Sequence, residues 1–373
     1  MARVGRLLFG ASETCADMYY ATGLYVPDPI VWCEVGNERL VIVSPLEYGR
    51  FSAGVREMTR VLSYKQARQM FKLRNLRAAN QIAGLTRFFG VRRWRTGADF
   101  PLGLARALER RGVRVAPVRG PLFPERECKR EVEVRALEDG VRLAEAGLAA
   151  ALTVIREARL NGVGLVWRGR PLTAEVVRGE IDATISRLGG LAAHTIVAAG
   201  RHGADPHDGG AGPIAPNEPI VIDIFPRVHR HGYFGDLTRT VVKGQASDVV
   251  RRAFAAVRAA RDHAKTLIRP GVNGKDVHAA VVKSLTDAGF ATDANAAPPH
   301  GFFHGTGHGL GLEIHEAPRL SQVASELKEG HVVTVEPGLY YPEWGGMRLE
   351  DVVVVTADGC RTLTRVPDEL EIP

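Results

Sequence analysis

The sequence predicts an α+β chain, with a larger C-terminal domain around an antiparallel or mixed sheet and a smaller α/β domain ahead of it. Short β-branched runs and helix-length amphipathic stretches are interspersed along the chain without a strict β-α-β rhythm beyond its first third. Several of the later β-branched runs carry an acidic residue. The proline-bearing segment GPLFPERE, residues 120–127, reads as a linker between the halves. These observations place the domains at 1–122 and 123–373.

In chain order, VWCEV (31–35) and RLVIVSPLE (39–47) read as strands, bounded by Gly36-Asn37 and Gly49. Helical patterns follow around 63–90 and 102–111, and VRVAP (113–117) reads as another strand. The basic patch RFFGVRRWR, Arg87 to Arg95, is expected on a solvated helix face or a subunit contact in preference to an RNA-facing surface. After the linker, a long helix is predicted over 126–160, with Val134, Leu137, Val141 and Leu148 at helical spacing and Asn161-Gly162 as its stop. Further helices are expected at 173–188, 247–268 and 274–289. Strands are expected at 219–225, 237–242, 331–337 and 347–356.

Composition narrows the function. At 373 residues and 45% hydrophobic, the chain can fill two ordinary cores. No apolar run approaches the ~20 residues of a membrane span, and MARVGRLLFGASE is too short in apolar residues for a secretory signal. Cys15, Cys33, Cys128 and Cys360 are scattered with no C-x-x-C pair, which suits a reducing, cytoplasmic setting. The net charge of +7 comes from arginines mixed with acids throughout, and no nucleic-acid motif accompanies it. Neither nucleic acid nor membrane is expected as a partner.

The chemistry concentrates in HGTGHGLGLEIHEAP, residues 304–318, where His304, His308 and His315 stand among glycines. His315-Glu316 begins like the zinc motif H-E-x-x-H, but Arg319 stands where the second histidine belongs and Pro318 would break the helix. Four acids stand in or beside β-branched strands: Asp223 in PIVIDIF, Asp236 before LTRTVV, Glu336 closing VVTVEP and Glu350 in MRLEDVVVV. One such acid is ordinarily a salt-bridge partner, and one histidine an ordinary core or surface residue. Four acids brought together would repel until some of them protonated. A pair of divalent cations removes that cost, and so oxygen-rich a site suits Mn²⁺ or Co²⁺, with Fe²⁺ and Zn²⁺ also fitting. Strand alternation puts Arg348 and Glu350 on one face and Asp351 on the other, as a neighbour of the site or a solvated residue.

These residues resemble the M24 metallopeptidases, whose fold is called pita-bread and whose members include methionine aminopeptidase, Xaa-Pro aminopeptidase (aminopeptidase P) and Xaa-Pro dipeptidase (prolidase). The resemblance runs from about residue 125 to the C-terminus. DMYYATGLYVPDPIVWCEV more weakly resembles the accessory domain of creatinase and the proline-directed members. It implies two divalent ions held by Asp223, Asp236, His308, Glu336 and Glu350, with Glu336 also the general base. It further implies that His207 and His315 face the reacting carbonyl, that His304 and Arg319 line the substrate pocket, and that Arg348 orients a ligand aspartate. One departure stands out: Asp223 and Asp236 are thirteen residues apart, more than in the relatives, and Phe225 replaces a glycine. HRHG (229–232) then reads as a longer hairpin tip, where His229 and His231 are expected in solvent.

Methionine aminopeptidase fits poorly because of the N-terminal domain, and creatinase because it is metal-free. The implied activity is hydrolysis of an N-terminal Xaa-Pro bond in dipeptides or short peptides. Arg319 tips the reading toward a dipeptidase, through a clamp on the substrate's terminal carboxylate. The alternatives are aminopeptidase P and a non-catalytic pita-bread scaffold, although scaffolds usually lose ligands. The resemblance also implies a homodimer.

Overall fold

The computed structural model describes residues 3–56, 58–162 and 164–373. The chain forms two compact units, Met1–Arg126 and Glu127–Pro373, so the break falls inside the proline-bearing segment.

The first unit is a six-stranded mixed sheet in the order Thr59–Ser63, Glu38–Val43, Ile30–Val35, Arg3–Gly10, Val91–Thr96, Val115–Pro117. Its core is built on Leu7, Ile82, Leu85, Trp94 and Leu108, all fully buried. Three local readings change. The strand expected over 39–47 stops at Val43, because Pro45 opens the helix Pro45–Gly54 behind Ser44. The helical stretch 63–90 is two helices, Tyr64–Met70 and Ala78–Phe89, parted at Lys72, whose φ is 52°. RFFGVRRWR is not one helix face: Gly90 ends the helix in the left-handed region and Val91–Thr96 is an inner strand. Its Val91, Trp94 and Thr96 are buried, while Arg92, Arg93 and Arg95 project outward from it.

In the second unit the long helix is Glu131–Glu157, and chain beyond it forms a small ribbon starting at Arg159–Asn161. Helices Ala174–Arg187, Asp248–Leu267 and Gly274–Asp287 begin where Thr173, Ser247 and Asn273 accept backbone N–H groups of their first turns. Two sheets carry the acids. One has the order Ile196–Ala199, Pro219–Ile224, Leu237–Lys243, Glu371–Ile372; the other Glu316–Leu320, Gly307–Gly309, Val332–Val335, Asp351–Val355, Cys360–Thr362. The strand expected over 347–356 is divided: Gly345–Arg348 pairs with Gly338–Tyr341, and Asp351–Val355 joins the five-stranded sheet. Leu349 and Glu350 form the crossing, where the Glu350 N–H donates to the Thr238 carbonyl at 3.0 Å. Among the described residues no helix is long and apolar enough to cross a membrane.

Candidate active site

The two sheets deliver their acids to one cavity of about 700 Å³. Asp223 stands on Pro219–Ile224, directly across from Ile196 on one side and Thr238 on the other. Asp236 leads into Leu237–Lys243, and the strands pair as far as Ile224 and Leu237, so both aspartates lie at the hairpin's base. The added length forms a tip at 229–232, closed by the Val228 N–H donating to the Tyr233 carbonyl at 3.0 Å. Arg230 and His231 at that tip reach Asp139 of the long helix at 2.9 and 3.5 Å, and neither lines the cavity.

His308 stands in the three-residue strand Gly307–Gly309, between Glu316–Leu320 and Val332–Val335. The glycines around it serve close approach. A Cβ on Gly307 would strike the Thr334 carbonyl, and one on Gly309 the Ala317 carbonyl, so neighbouring strands could not close over the imidazole. Glu336 follows Val335 at a strand end, and Glu350 fills the crossing described above.

Inside the cavity, ligand-type atoms of Asp236, His308 and Glu350 lie within 4.8 Å of one another. His308 Nε2 is 3.6 Å from Asp236 Oδ2 and 3.3 Å from Glu336 Oε1. Its Nδ1 lies 3.1 Å from the Gly309 carbonyl and donates to it, which directs the Nε2 lone pair at the acids. Hydroxyls hold two of the carboxylates: Thr238 donates to Glu350 at 2.7 Å, and Thr334 to Glu336 at 3.2 Å while accepting the His308 N–H. Asp223 Oδ1 is buried without a hydrogen-bond partner among the described residues.

The charges do not balance. Burial raises the pKa of Asp236 and Glu350 well above the carboxylate range, and the neighbouring acids add to the shift. Burial likewise pushes Glu336 up to about 7. Burial, with His315 nearby, lowers His308 to about 3, so its ring is neutral. Buried carboxylates that resist ionising, an unpartnered aspartate oxygen and a correctly directed neutral imidazole together fit divalent metal ions.

One guanidinium serves the cluster directly. Arg348 Nη2 donates to Asp223 Oδ2 at 2.6 Å and Nη1 donates to the Tyr340 hydroxyl at 2.8 Å. Tyr340 in turn donates to His304 Nε2 at 2.9 Å, and His304 Nδ1 donates to the Gly305 carbonyl at 2.7 Å. Both ring nitrogens of His304 are therefore engaged within the protein, and its side chain serves as cavity wall. His207, His315 and Arg319 occupy the exposed side of the cavity. The His315 ring stands edge-on to His308, centroids 4.4 Å apart. Burial and then Arg319 lower its pKa, which favours a neutral imidazole. The Arg319 guanidinium makes no ion pair among the described residues.

All ten residues singled out in the sequence line this one cavity. The supporting hydroxyls were missed, yet Thr238 and Thr334 each sit two residues from an acid, the same-face position in a strand. Tyr340 left no comparable local trace. Asp351 is neither solvated nor part of the cavity; it is buried against Arg239, Arg261 and Lys265 at 2.9, 3.3 and 2.8 Å.

Comparison with known proteins bears on this geometry. The sequence pattern of metallopeptidase family M24 matches residues 135–357. The Xaa-Pro dipeptidase of Pyrococcus furiosus is 32% identical over 247 residues, which is 66% of this chain and 65% of that enzyme. A solved Xaa-Pro dipeptidase from Bacillus anthracis superposes with a TM-score of 0.84 at 25% identity, covering 100% of this chain and 95% of that one. An X-Pro aminopeptidase from Thermotoga maritima superposes at 0.82 with 22% identity, covering 99% and 97%, and so shares the fold.

Proposed function

Starting from the membership of this chain in metallopeptidase family M24, we propose that it is a metal-dependent exopeptidase that hydrolyses the Xaa-Pro bond of dipeptides. The observation that carries the proposal is the convergence of four carboxylates and a neutral imidazole in a cavity with a single directly bonded guanidinium. Two divalent ions, Mn²⁺ or Co²⁺ by the hardness of the donors, would be held by Asp223, Asp236, His308, Glu336 and Glu350. When bound they would offset the carboxylates and acidify water enough for attack at neutral pH.

The chain's own residues account for the rest. Glu336 would accept a proton from the attacking water and pass it to the departing proline nitrogen, its carboxylate standing at the strand end 3.3 Å from His308 Nε2. His315 and His207, on the open side, would donate hydrogen bonds to the carbonyl oxygen as it gains charge. Arg348 fixes Asp223, and the Tyr340–His304 chain fixes Arg348. An Xaa-Pro bond has no N–H for an extended-backbone protease to grip; attack directed at the carbonyl does not need one. Arg319, exposed and without an ion pair among the described residues, can take the carboxylate of a dipeptide.

The test is hydrolysis of an Xaa-Pro dipeptide and the matching Xaa-Pro-Yaa tripeptide with Mn²⁺, Co²⁺, Fe²⁺ or Zn²⁺ after chelation. The dipeptide should be cleaved at the higher kcat/KM. Preference for the tripeptide would make the chain an aminopeptidase P, and hydrolysis of neither with any metal would make it a scaffold.

A further inference from the structure

A buried ion pair lies beneath the segment that carries His315. Lys129 Nζ donates to Glu316 Oε2 at 3.1 Å, with the two side chains only 2% and 7% exposed. The partners are 187 residues apart in sequence. Burying two charges costs more than their attraction ordinarily returns, so such a pair is weak evidence for stability and better evidence for fixing one arrangement.

What it fixes is visible in its bonds. Glu316 follows His315 directly, and its other oxygen, Oε1, accepts the Glu313 N–H at 3.1 Å. The Gly311 N–H donates to the Glu313 carbonyl at 3.2 Å, and the Phe234 N–H donates to the Gly311 carbonyl at 3.0 Å. The carboxylate thus cross-braces the turn 311–316 and, through Phe234, ties it to the hairpin whose base holds Asp223 and Asp236. A Cβ on Gly311 would strike the Glu316 carboxylate and push it from this position. Lys129 is itself held: its N–H donates to the Gly330 carbonyl at 2.7 Å, just before the strand Val332–Val335 that leads to Glu336. Neither Lys129 nor Glu316 lines the cavity.

We infer that Lys129 and Glu316 are positioning residues: their buried pair sets the turn 311–316 so that the His315 imidazole stands edge-on to His308, facing the substrate carbonyl. The inference rests on the role proposed above for His315, and the pair is expected to reach kcat mainly by placing that side chain.

The test uses the metal-loaded full chain and the variants Glu316→Gln, Lys129→Met and the double substitution Lys129→Met/Glu316→Gln, the last included because it removes both charges of the pair together. For Glu316→Gln, kcat should fall by roughly ten- to a hundredfold with KM changing less than about threefold. In a His315→Ala background the same substitution should change kcat less than about twofold, because the side chain it places is gone. Independently of turnover, the amides of Gly311 and Glu313 should exchange hydrogen at least about tenfold faster in Glu316→Gln and in the double variant, while those of helix Glu131–Glu157 stay protected. Unchanged exchange at these two amides, or full additivity with His315→Ala, overturns the inference. If no Xaa-Pro peptide is cleaved even by the unaltered chain, the dipeptidase reading has failed, and the exchange result still decides whether the pair sets the turn.

Discussion

Glu350 and Asp351 are consecutive acids, both buried, and their surroundings are opposite. Glu350 faces the cavity with Asp223, Asp236 and Glu336, and its pKa is raised by burial and then by Glu336 and Asp223. Asp351 faces the other way, into Arg239, Arg261 and Lys265, with Asp368 and Asp262 completing a set of three cations and three carboxylates. Burial would raise Asp351 too, but the surrounding cations win and its pKa is lowered. The two clusters are joined by Arg239, whose Nη1 donates to the Glu350 carbonyl at 2.5 Å while its Nη2 donates to Asp351 at 2.9 Å. Burial of acids is therefore common to a site and to a structural cluster. Imbalance separates them: the protein supplies the counter-charge on one side of the chain and leaves it to divalent cations on the other.

The largest expected effect strikes the unbalanced side. Glu336→Gln should lower kcat about a thousandfold through loss of the proton carrier. The fold should survive, because the substitution removes one of several mutually repelling carboxylates. The same variant tests the electrostatics in chelated protein. A carboxyl held near 7 when folded and near its ordinary value when unfolded contributes stability that is complete at low pH and lost as pH rises through about 7. Chelated wild type should therefore lose melting temperature between pH 5 and 8 more steeply than chelated Glu336→Gln. Parallel pH profiles would show that Glu336 does not feel the cluster.

The balanced side should respond in the reverse sense. Asp351→Asn leaves Arg239, Arg261 and Lys265 short of one carboxylate in a buried setting, and about 3 kcal/mol of stability should go with it. Turnover per folded molecule should stay within about threefold of wild type, since Asp351 does not line the cavity. Urea unfolding beside active-site titration separates the two quantities. A collapse of kcat without loss of stability would erase the distinction between the clusters.

How much of this was legible in the sequence follows the same division. The cavity acids could be read because each stands in or beside an apolar strand, and a charge that burial penalises stands out in such a pattern. Asp351 has the same local signature, and its partners come from helix Asp248–Leu267 and from Arg239, with Asp368 bound to the same arginines, so no local pattern marks its cluster as balanced. The choice of Glu350 over Asp351 rested on alternation along one strand, whereas the chain in fact changes sheets between Arg348 and Asp351. In the first unit, Pro45 and Gly90 were adequate stop signals at Val43 and Phe89, but runs of β-branched and arginine-rich residues outweighed them. The pairing of Lys129 with Glu316 is of the kind no spacing argument reaches.

The smallest effect lies at the open edge of the unbalanced cluster. Arg319 is a cross-strand neighbour of His308, and it lowers the pKa of both His308 and His315 after burial has done so. Its charge is thus available to the cavity, without an ion pair of its own among the described residues. If it grips the carboxylate of a dipeptide, Arg319→Ala should raise KM for an Xaa-Pro dipeptide about tenfold, equivalent to about 1.4 kcal/mol. The matching tripeptide, whose carboxylate lies a residue farther out, should be affected less than about threefold. Arg319→Lys keeps the charge but not the bidentate fork, and should restore only part of the loss. Equal increases for both peptides would mean that Arg319 tunes the histidines instead of reading chain length, and the carboxylate clamp would have to be abandoned.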